Sequence, residues 1–192
     1  MPQRFAFKLV LLAALVAGSG SAAFAHPGHG EGLAAGLAHP FSGLDHLLAM
    51  LAVGLWASQL GRKAIVSLPL VFPLMMAVGA ALGANGVAMP WVEIGILASV
   101  VTLGAVVAFG LQVPLAANAL LVGAFAVFHG HAHGAEIPAA ASPLLYGIGF
   151  VAATVTLHAI GVAIGLLTQR PLLMRGAGGA IAAAGVLLFV MH

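Results

Sequence analysis

The sequence predicts an all-α membrane protein that crosses the bilayer several times. Only 5% of the 192 residues are charged and 62% are hydrophobic, whereas a soluble domain carries about 25% charged residues. Six apolar segments are each long enough to cross about 30 Å of hydrocarbon. Short connections rich in glycine, proline and polar residues separate them. We therefore expect one polytopic domain whose surface faces lipid.

The first 25 residues have the features of a cleaved signal peptide. Arg4 and Lys8 form a positive region, an apolar run follows from Leu9 to Ala17, and Ala23-Phe24-Ala25 is a small-residue cleavage site. Cleavage would place the mature N-terminus at His26. An uncleaved first helix is the alternative, and in both cases residue 26 lies outside the cytoplasm.

Residues 26–38 then form a periplasmic tail that contains histidine. The free α-amine and the ring of His26 would chelate one metal ion, and His29 and Glu31 follow within five residues. We expect a capture site here. The alternative is a flexible tail whose histidines do nothing specific.

The transmembrane domain, residues 39–192, contains the six predicted spans. They lie near 40–60, 64–84, 91–110, 114–134, 143–168 and 174–191. Two pairs of glycines at GxxxG spacing, Gly79 with Gly83 and Gly161 with Gly165, allow helix backbones to approach closely. Generic packing of small residues is the favoured reading of both pairs, rather than a special dimer.

The basic residues predict the orientation of the spans. If residue 26 is outside, the first span runs inward and Arg62 and Lys63 lie in the cytoplasm. Arg170 and Arg175, after the fifth span, lie on the same side. The mature N-terminus and the C-terminal His192 are then both periplasmic, and six spans place every basic residue of the chain on the cytoplasmic side.

Two clusters of ionisable residues interrupt the apolar pattern, one at the start of the first span and one at the end of the fourth. Since these spans run in opposite directions, both clusters reach the outer half of the membrane. Two inverted halves of three helices would bring them together, as in many transporters. An ionisable side chain kept in hydrocarbon indicates a functional site.

The first cluster runs from His39 to His46 and includes Asp45. Pro40 and Gly43 make a regular helix doubtful here. A broken helix would let His39, Asp45 and His46 reach one ion, because imidazole and carboxylate bind divalent transition metals. Asp45 has a second reading, as the hydrogen-bond partner that orients a ligating histidine. A helix cap flanked by interfacial histidines is the third.

The second cluster places His129, His133 and Glu136 at i, i+4 and i+7, on one helix face. His131 points elsewhere. His129, His133 and Glu136 are candidate metal ligands. The alternative is a histidine-rich helix end that is exposed to water.

Two further ionisable groups lie in the spans. Glu93, near the outer start of the third span, is either an additional metal ligand or a solvated interfacial acid. His158, deep in the fifth span, either bonds a neighbouring helix, which is the favoured reading, or is a second stop on an ion path.

The two clusters resemble the signatures of the HupE/UreJ family of nickel and cobalt permeases. The pattern HPxxGxDH matches His39 to His46, and FHGxAHGxE matches Phe128 to Glu136, both in full. The resemblance implies secondary uptake of Ni²⁺ or Co²⁺ across the bacterial inner membrane, for hydrogenase or urease maturation. It implies that metal is handled by His39, Asp45, His46, Glu93, His133 and Glu136.

The residues alone leave the ion and the reaction class open. Imidazole and carboxylate suit Ni²⁺, Co²⁺ and Zn²⁺, and a chain without cysteine has no thiolate site or disulfide. We expect a transporter with no resident cofactor, with the metal ion as substrate, the bilayer as surroundings and no nucleic-acid partner. The alternatives are an intramembrane metal-dependent hydrolase, although HExxH and GxSxG are absent, and a metal sensor or storage protein.

Overall fold

The computed structural model describes residues 31–135, 142–168 and 170–191, which are almost entirely helical and contain no strand. The seven helices are α1 (Glu31–Ala38), α2 (Leu44–Leu60), α3 (Arg62–Ala84), α4 (Val92–Phe109), α5 (Leu115–Ala135), α6 (Pro143–Thr168) and α7 (Pro171–Met191). The bounds of α3 to α7 differ from the predicted spans by no more than three residues. The all-α prediction is confirmed, and the signal peptide lies outside the described residues.

The first predicted span is a broken helix. A 3₁₀ turn, His39–Phe41, separates α1 from α2, and the two helices are bent by 78° relative to each other. Pro40 favours the start of the turn because its ring fixes φ and removes a donor. Gly43 is extended and directly precedes α2. The predicted break between Pro40 and Gly43 is confirmed.

Residues 31–38, placed in the tail by sequence, are instead helical and pack against α6. Two glycines permit this close approach. A Cβ on Gly36 would collide with the carbonyl of Tyr146, and one on Gly149 with the carbonyl of Leu33. Helical order therefore begins earlier than the apolar pattern indicated.

Five helices, α3 to α7, are long and apolar enough to cross a membrane, and the bent pair of α1 and α2 makes a sixth span if it is counted as one. Large apolar side chains are exposed along these helices, including Leu74, Leu120, Leu172 and Val190. A water-soluble monomer rarely exposes so continuous an apolar surface. The protein is therefore a membrane protein.

The helices pack mainly in three pairs: α3 with α5, α4 with α7, and α2 with α6. Glycine contacts bring each pair together. A Cβ on Gly79 would collide with the Val127 carbonyl, one on Gly161 with the Leu51 carbonyl, and one on Gly104 with the backbone nitrogen of Ala182. Both glycine pairs identified by sequence thus serve packing within the chain.

Candidate metal-binding site

Four histidines from three elements meet at one end of the helix bundle. His39 comes from the 3₁₀ turn, His46 from the first turn of α2, and His129 and His133 from the last turns of α5. The ring centroid of His46 lies 4.2 Å from that of His133 and 4.5 Å from that of His129. His39 lies 4.7 Å from His133. These residues form the four-histidine cluster, in which both sequence clusters come together.

The break in the first span explains how His39 and His46 reach the same partner. Without it, α1 would continue in the direction of α2, whereas the observed bend lets the turn fold over the end of α5. His39 and His46 then contact His133 from opposite sides of the break. Pro40 and Gly43 are the residues of this segment that favour such a turn.

Asp45 holds the ring of His46 in one orientation. Its Oδ1 accepts a hydrogen bond from the backbone N–H of His46 (2.8 Å) and another from Nδ1 of the same residue (3.0 Å). Because a carboxylate only accepts, Nδ1 carries the proton and Nε2 presents a lone pair. That Nε2 is buried and makes no hydrogen bond with any described residue. This geometry matches the orienting role that was one reading of Asp45.

Ser99 of α4 does the same for His129. Its hydroxyl lies 2.6 Å from the carbonyl of Ile96 and 2.8 Å from Nε2 of His129. A hydroxyl has one proton, and the carbonyl requires it, so the oxygen of Ser99 accepts from Nε2–H. The lone pair of His129 is therefore on Nδ1, which is buried and has no hydrogen bond within the described residues.

His133 lies at the centre of the cluster with both ring nitrogens buried and without a hydrogen bond in the described part of the chain. Its ring centroid lies 4.2 Å from that of Phe150 on α6, and its ring contacts the imidazoles of His39 and His46. Buried polar atoms normally find a partner, and an unpaired one costs about 1–3 kcal/mol. Several such nitrogens side by side indicate a site for a ligand that supplies the missing bonds.

A pocket of about 240 Å³ opens beside the cluster. It is lined by His39, Ser42, Gly43, Asp45, His46, Glu93, Ile96, Ala132 and His133. Glu93, in the first turn of α4, is exposed and contributes a carboxylate to this pocket. His131 faces elsewhere, as its spacing predicted: its Nε2 donates to the carbonyl of Val87 (2.7 Å) and fastens the connection between α3 and α4.

The cluster differs from a closed metal cage. Within residues 31–135, 142–168 and 170–191, no three histidine, aspartate or glutamate side chains are arranged to hold one ion. The imidazoles pack edge to face instead, and Asp45 is engaged by His46. For three of these side chains to hold one ion, their rings would have to rotate. Glu136 and His26, the other predicted ligands, lie outside the described residues.

His158 does not join the cluster. It is fully buried in α6, and its ring contacts Phe72 of α3 at a centroid distance of 5.1 Å. Phe72 in turn lies 5.7 Å from His129. The ring of Phe72 therefore contacts both His158 and one member of the four-histidine cluster.

Sequence reasoning missed Ser99 and the aromatic side chains of the site. A hydroxyl inside an otherwise apolar helix is a detectable signal, since such a group seeks a partner on another helix. Phe72 and Phe150 carry no comparable signal, because one phenylalanine in an apolar span resembles any other.

Comparison with known proteins agrees with the two signatures. The family model described as HupE / UreJ protein matches residues 12–188. The chain is 48% identical over 176 residues to Protein HupE of Rhizobium leguminosarum bv. viciae, a match that covers 88% of this chain and 91% of the relative. No solved structure matches the chain. The protein therefore belongs to the HupE/UreJ family.

Proposed function

We propose that the protein carries Ni²⁺, or Co²⁺, across the bacterial inner membrane into the cytoplasm, where the metal supplies maturation of an enzyme such as hydrogenase or urease. One observation carries the proposal: four histidines cluster beside a polar pocket that three of them line, and His46, His129 and His133 have buried ring nitrogens with no hydrogen bond among the described residues. Neutral imidazole nitrogen is a preferred ligand of both ions. Family membership supports the choice of nickel or cobalt.

The pocket supports a route for capture. Glu93 is exposed at its edge and would attract a hydrated cation, which then exchanges water for imidazole. The nitrogens without a hydrogen bond in the described part of the chain are Nε2 of His46, Nδ1 of His129 and both of His133, and a neutral His133 offers a lone pair on one of its two. In this proposal Glu136 and His26 add ligands from the adjoining segments. A site that needs ring rotation to close also opens readily, which suits a transporter that must release its ion.

The driving force in this proposal is the membrane potential together with consumption of the metal inside the cell. The sequence contains no Walker motif. A divalent cation entering at about −100 mV gains roughly 4–5 kcal/mol. That energy is sufficient for accumulation without ATP.

We also propose that the six spans form two inverted halves of three. A twofold axis that exchanges the halves maps the α2–α6 pair onto the α5–α3 pair, and the α4–α7 pair onto itself. The main helix contacts follow this scheme. In the self-paired α4 and α7, a Cβ on Gly104 would collide with the backbone nitrogen of Ala182, and one on Gly178 with that of Ala108. This reciprocity supports an axis through the crossing.

Uptake into liposomes tests the function. Purified protein is reconstituted with an inside-negative potential, and we expect accumulation of ⁶³Ni²⁺ that Co²⁺ suppresses more strongly than Zn²⁺. His133→Ala should abolish it, because this variant removes the central imidazole. His131→Gln is the matched control, since it keeps a donor for the Val87 carbonyl.

Two results would contradict the proposal. One is a wild-type protein that fails to accumulate either ion while it cleaves lipid or peptide, which would indicate the hydrolase alternative. The other is a wild-type protein that binds the ion in detergent but leaves the liposome interior empty, which would indicate a sensor or storage protein.

A further inference from the structure

We propose a second, inner binding station for the transported divalent cation, built around His158 in the middle of α6 and separated from the four-histidine cluster by the ring of Phe72. The inference rests on the proposed transport function. It assigns a role to a residue that neither signature contains, and it extends the ion path toward the other end of the bundle.

The burial of His158 is the first argument. The side chain is 0% exposed, and neither ring nitrogen makes a hydrogen bond of ordinary geometry within the described residues. Thr154, one turn earlier on the same face of α6, is also 0% exposed and has an unpaired hydroxyl. These two polar groups therefore offer donor atoms to a visiting ligand.

The neighbouring helix adds a third donor. Pro73 lies inside α3 and has no N–H, so the carbonyl of Pro69, four residues earlier, lacks its usual helix partner. The ring of His158 interacts with this same carbonyl. The imidazole of His158 and the carbonyl of Pro69 thus lie together, and the hydroxyl of Thr154 is one helical turn away from His158. Unpaired carbonyls of interrupted helices bind transported cations in other membrane proteins.

The placement of Phe72 relates the two stations. Its ring contacts both His129 and His158, at centroid distances of 5.7 and 5.1 Å. Phe72 lies between Pro69 and Pro73, where the helix lacks backbone hydrogen bonds and bends at low cost. A small displacement of this segment would open a direct passage between the two imidazoles.

The donor set also suits a station near the exit. One imidazole with two neutral oxygens binds Ni²⁺ or Co²⁺ more weakly than several imidazoles with carboxylates. An ion that leaves the four-histidine cluster would therefore be held only briefly before release. Conduction requires sites that bind strongly enough to accept the ion and weakly enough to let it go.

A cysteine at position 158 gives a direct test of whether metal reaches this position, because the protein has no cysteine of its own. Purified His158→Cys is titrated with Co²⁺. We expect a thiolate-to-metal charge-transfer absorption that saturates at one Co²⁺ per chain. Thr156→Cys is the control: residue 156 lies two positions away on the exposed face of α6 and should give no such absorption.

Transport provides the second measurement. His158→Gln keeps a polar side chain of similar length but binds nickel poorly. We expect the maximal rate of ⁶³Ni²⁺ uptake in liposomes to fall about tenfold or more, while equilibrium binding of Ni²⁺ to the purified protein at the four-histidine cluster changes less than about threefold. Thr156→Val should transport as the wild type does.

The outcomes separate this proposal from the proposed function. If wild-type protein does not accumulate metal, the transport function fails. If wild-type protein accumulates metal and His158→Gln does so equally fast, only the inner station is overturned. The inner station is also overturned if His158→Cys shows no charge-transfer absorption. It is overturned as well if His158→Gln loses binding at the four-histidine cluster together with transport, because that result would indicate a purely structural role.

Discussion

Two polar residues decide which nitrogens the imidazoles of the candidate site present. Asp45 accepts a hydrogen bond from Nδ1–H of His46, and Ser99 accepts one from Nε2–H of His129, so opposite nitrogens keep a lone pair on the two rings. The rings enter from different helices, α2 and α5, and lie 4.5 Å apart. Each ring therefore keeps one lone pair that no hydrogen bond within the described residues occupies. The hydrogen bonds around a metal-binding histidine commonly fix its tautomer in this way.

Replacing Ser99 by alanine should weaken metal binding without removing a ligand. His129 would lose the acceptor that fixes its tautomer, and Nε2–H would be buried without a partner. We expect the nickel concentration at half-maximal uptake to rise about 10- to 100-fold. Ser58→Ala is the matched control, because its hydroxyl bonds only the Leu55 carbonyl, also three residues earlier. An unchanged half-maximal concentration in Ser99→Ala would show that this hydrogen bond does not tune the site.

Two substitutions of Asp45 should distinguish its readings. Asp45→Ala removes the acceptor of both hydrogen bonds to His46, and we expect it to abolish uptake while the protein remains in the membrane. Asp45→Asn keeps an acceptor oxygen, so an orienting role predicts partial uptake, reduced about 10-fold. Rates are compared at equal protein content in the membrane. If Asn and Ala are equally inactive, the carboxylate charge itself is required, as for a direct ligand.

At the level of elements, the broken first span could be predicted but its full extent could not. Pro40 and Gly43 indicated the break, because one fixes φ and the other permits an extended backbone ahead of a helix. The helix α1 escaped prediction because Gly32 and Gly36 lower helix propensity. Its stability comes from packing on α6, where Gly36 lies against the Tyr146 carbonyl. Such tertiary contacts leave little trace in the local sequence.

The crossing of α3 and α5 holds the end of α5 that carries His129, and a single methyl group should disturb it. A Cβ on Gly130 would collide with the carbonyl of Met76, a backbone atom that has no freedom to rotate away. We expect Gly130→Ala to destabilise the protein by about 1–3 kcal/mol and to lower uptake. Thermal unfolding in detergent measures the first effect and liposome uptake the second.

Gly147→Ala on α6 is the matched control for that substitution. A Cβ there meets no atom within 4 Å, so neither the melting temperature nor the uptake should fall. If Gly130→Ala has the same melting temperature and the same uptake as Gly147→Ala, then α3 and α5 can move apart without loss of stability. In that event the close crossing would have no part in holding the site.

On the scale of the whole molecule, the bent first span determines the topology. If α1 and α2 together form one span, the chain crosses the membrane six times; if they form a re-entrant loop, five crossings remain. The basic residues favour the span. Arg62 and Lys63 after α2, and Arg170 and Arg175 near the start of α7, are exposed at helix ends. These four residues share one side in both models, because four spans separate the two pairs. With residue 26 outside, only six spans make that side the cytoplasm, as the positive-inside rule requires.

Reporter fusions test this topology. Alkaline phosphatase, which is active only outside the cytoplasm, should be active when fused after His192 and inactive when fused after Lys63. A fluorescent protein that matures only in the cytoplasm should give the opposite pattern at the same two positions. The re-entrant alternative, with residue 26 outside, places Lys63 outside and leaves His192 inside, because five spans then follow. The two models therefore predict opposite reporter activities at both positions. An active phosphatase after Lys63 would refute six spans. Such a result would place the four-histidine cluster, which three spans separate from Lys63 in both models, on the cytoplasmic side, so the direction of metal entry depends on this measurement.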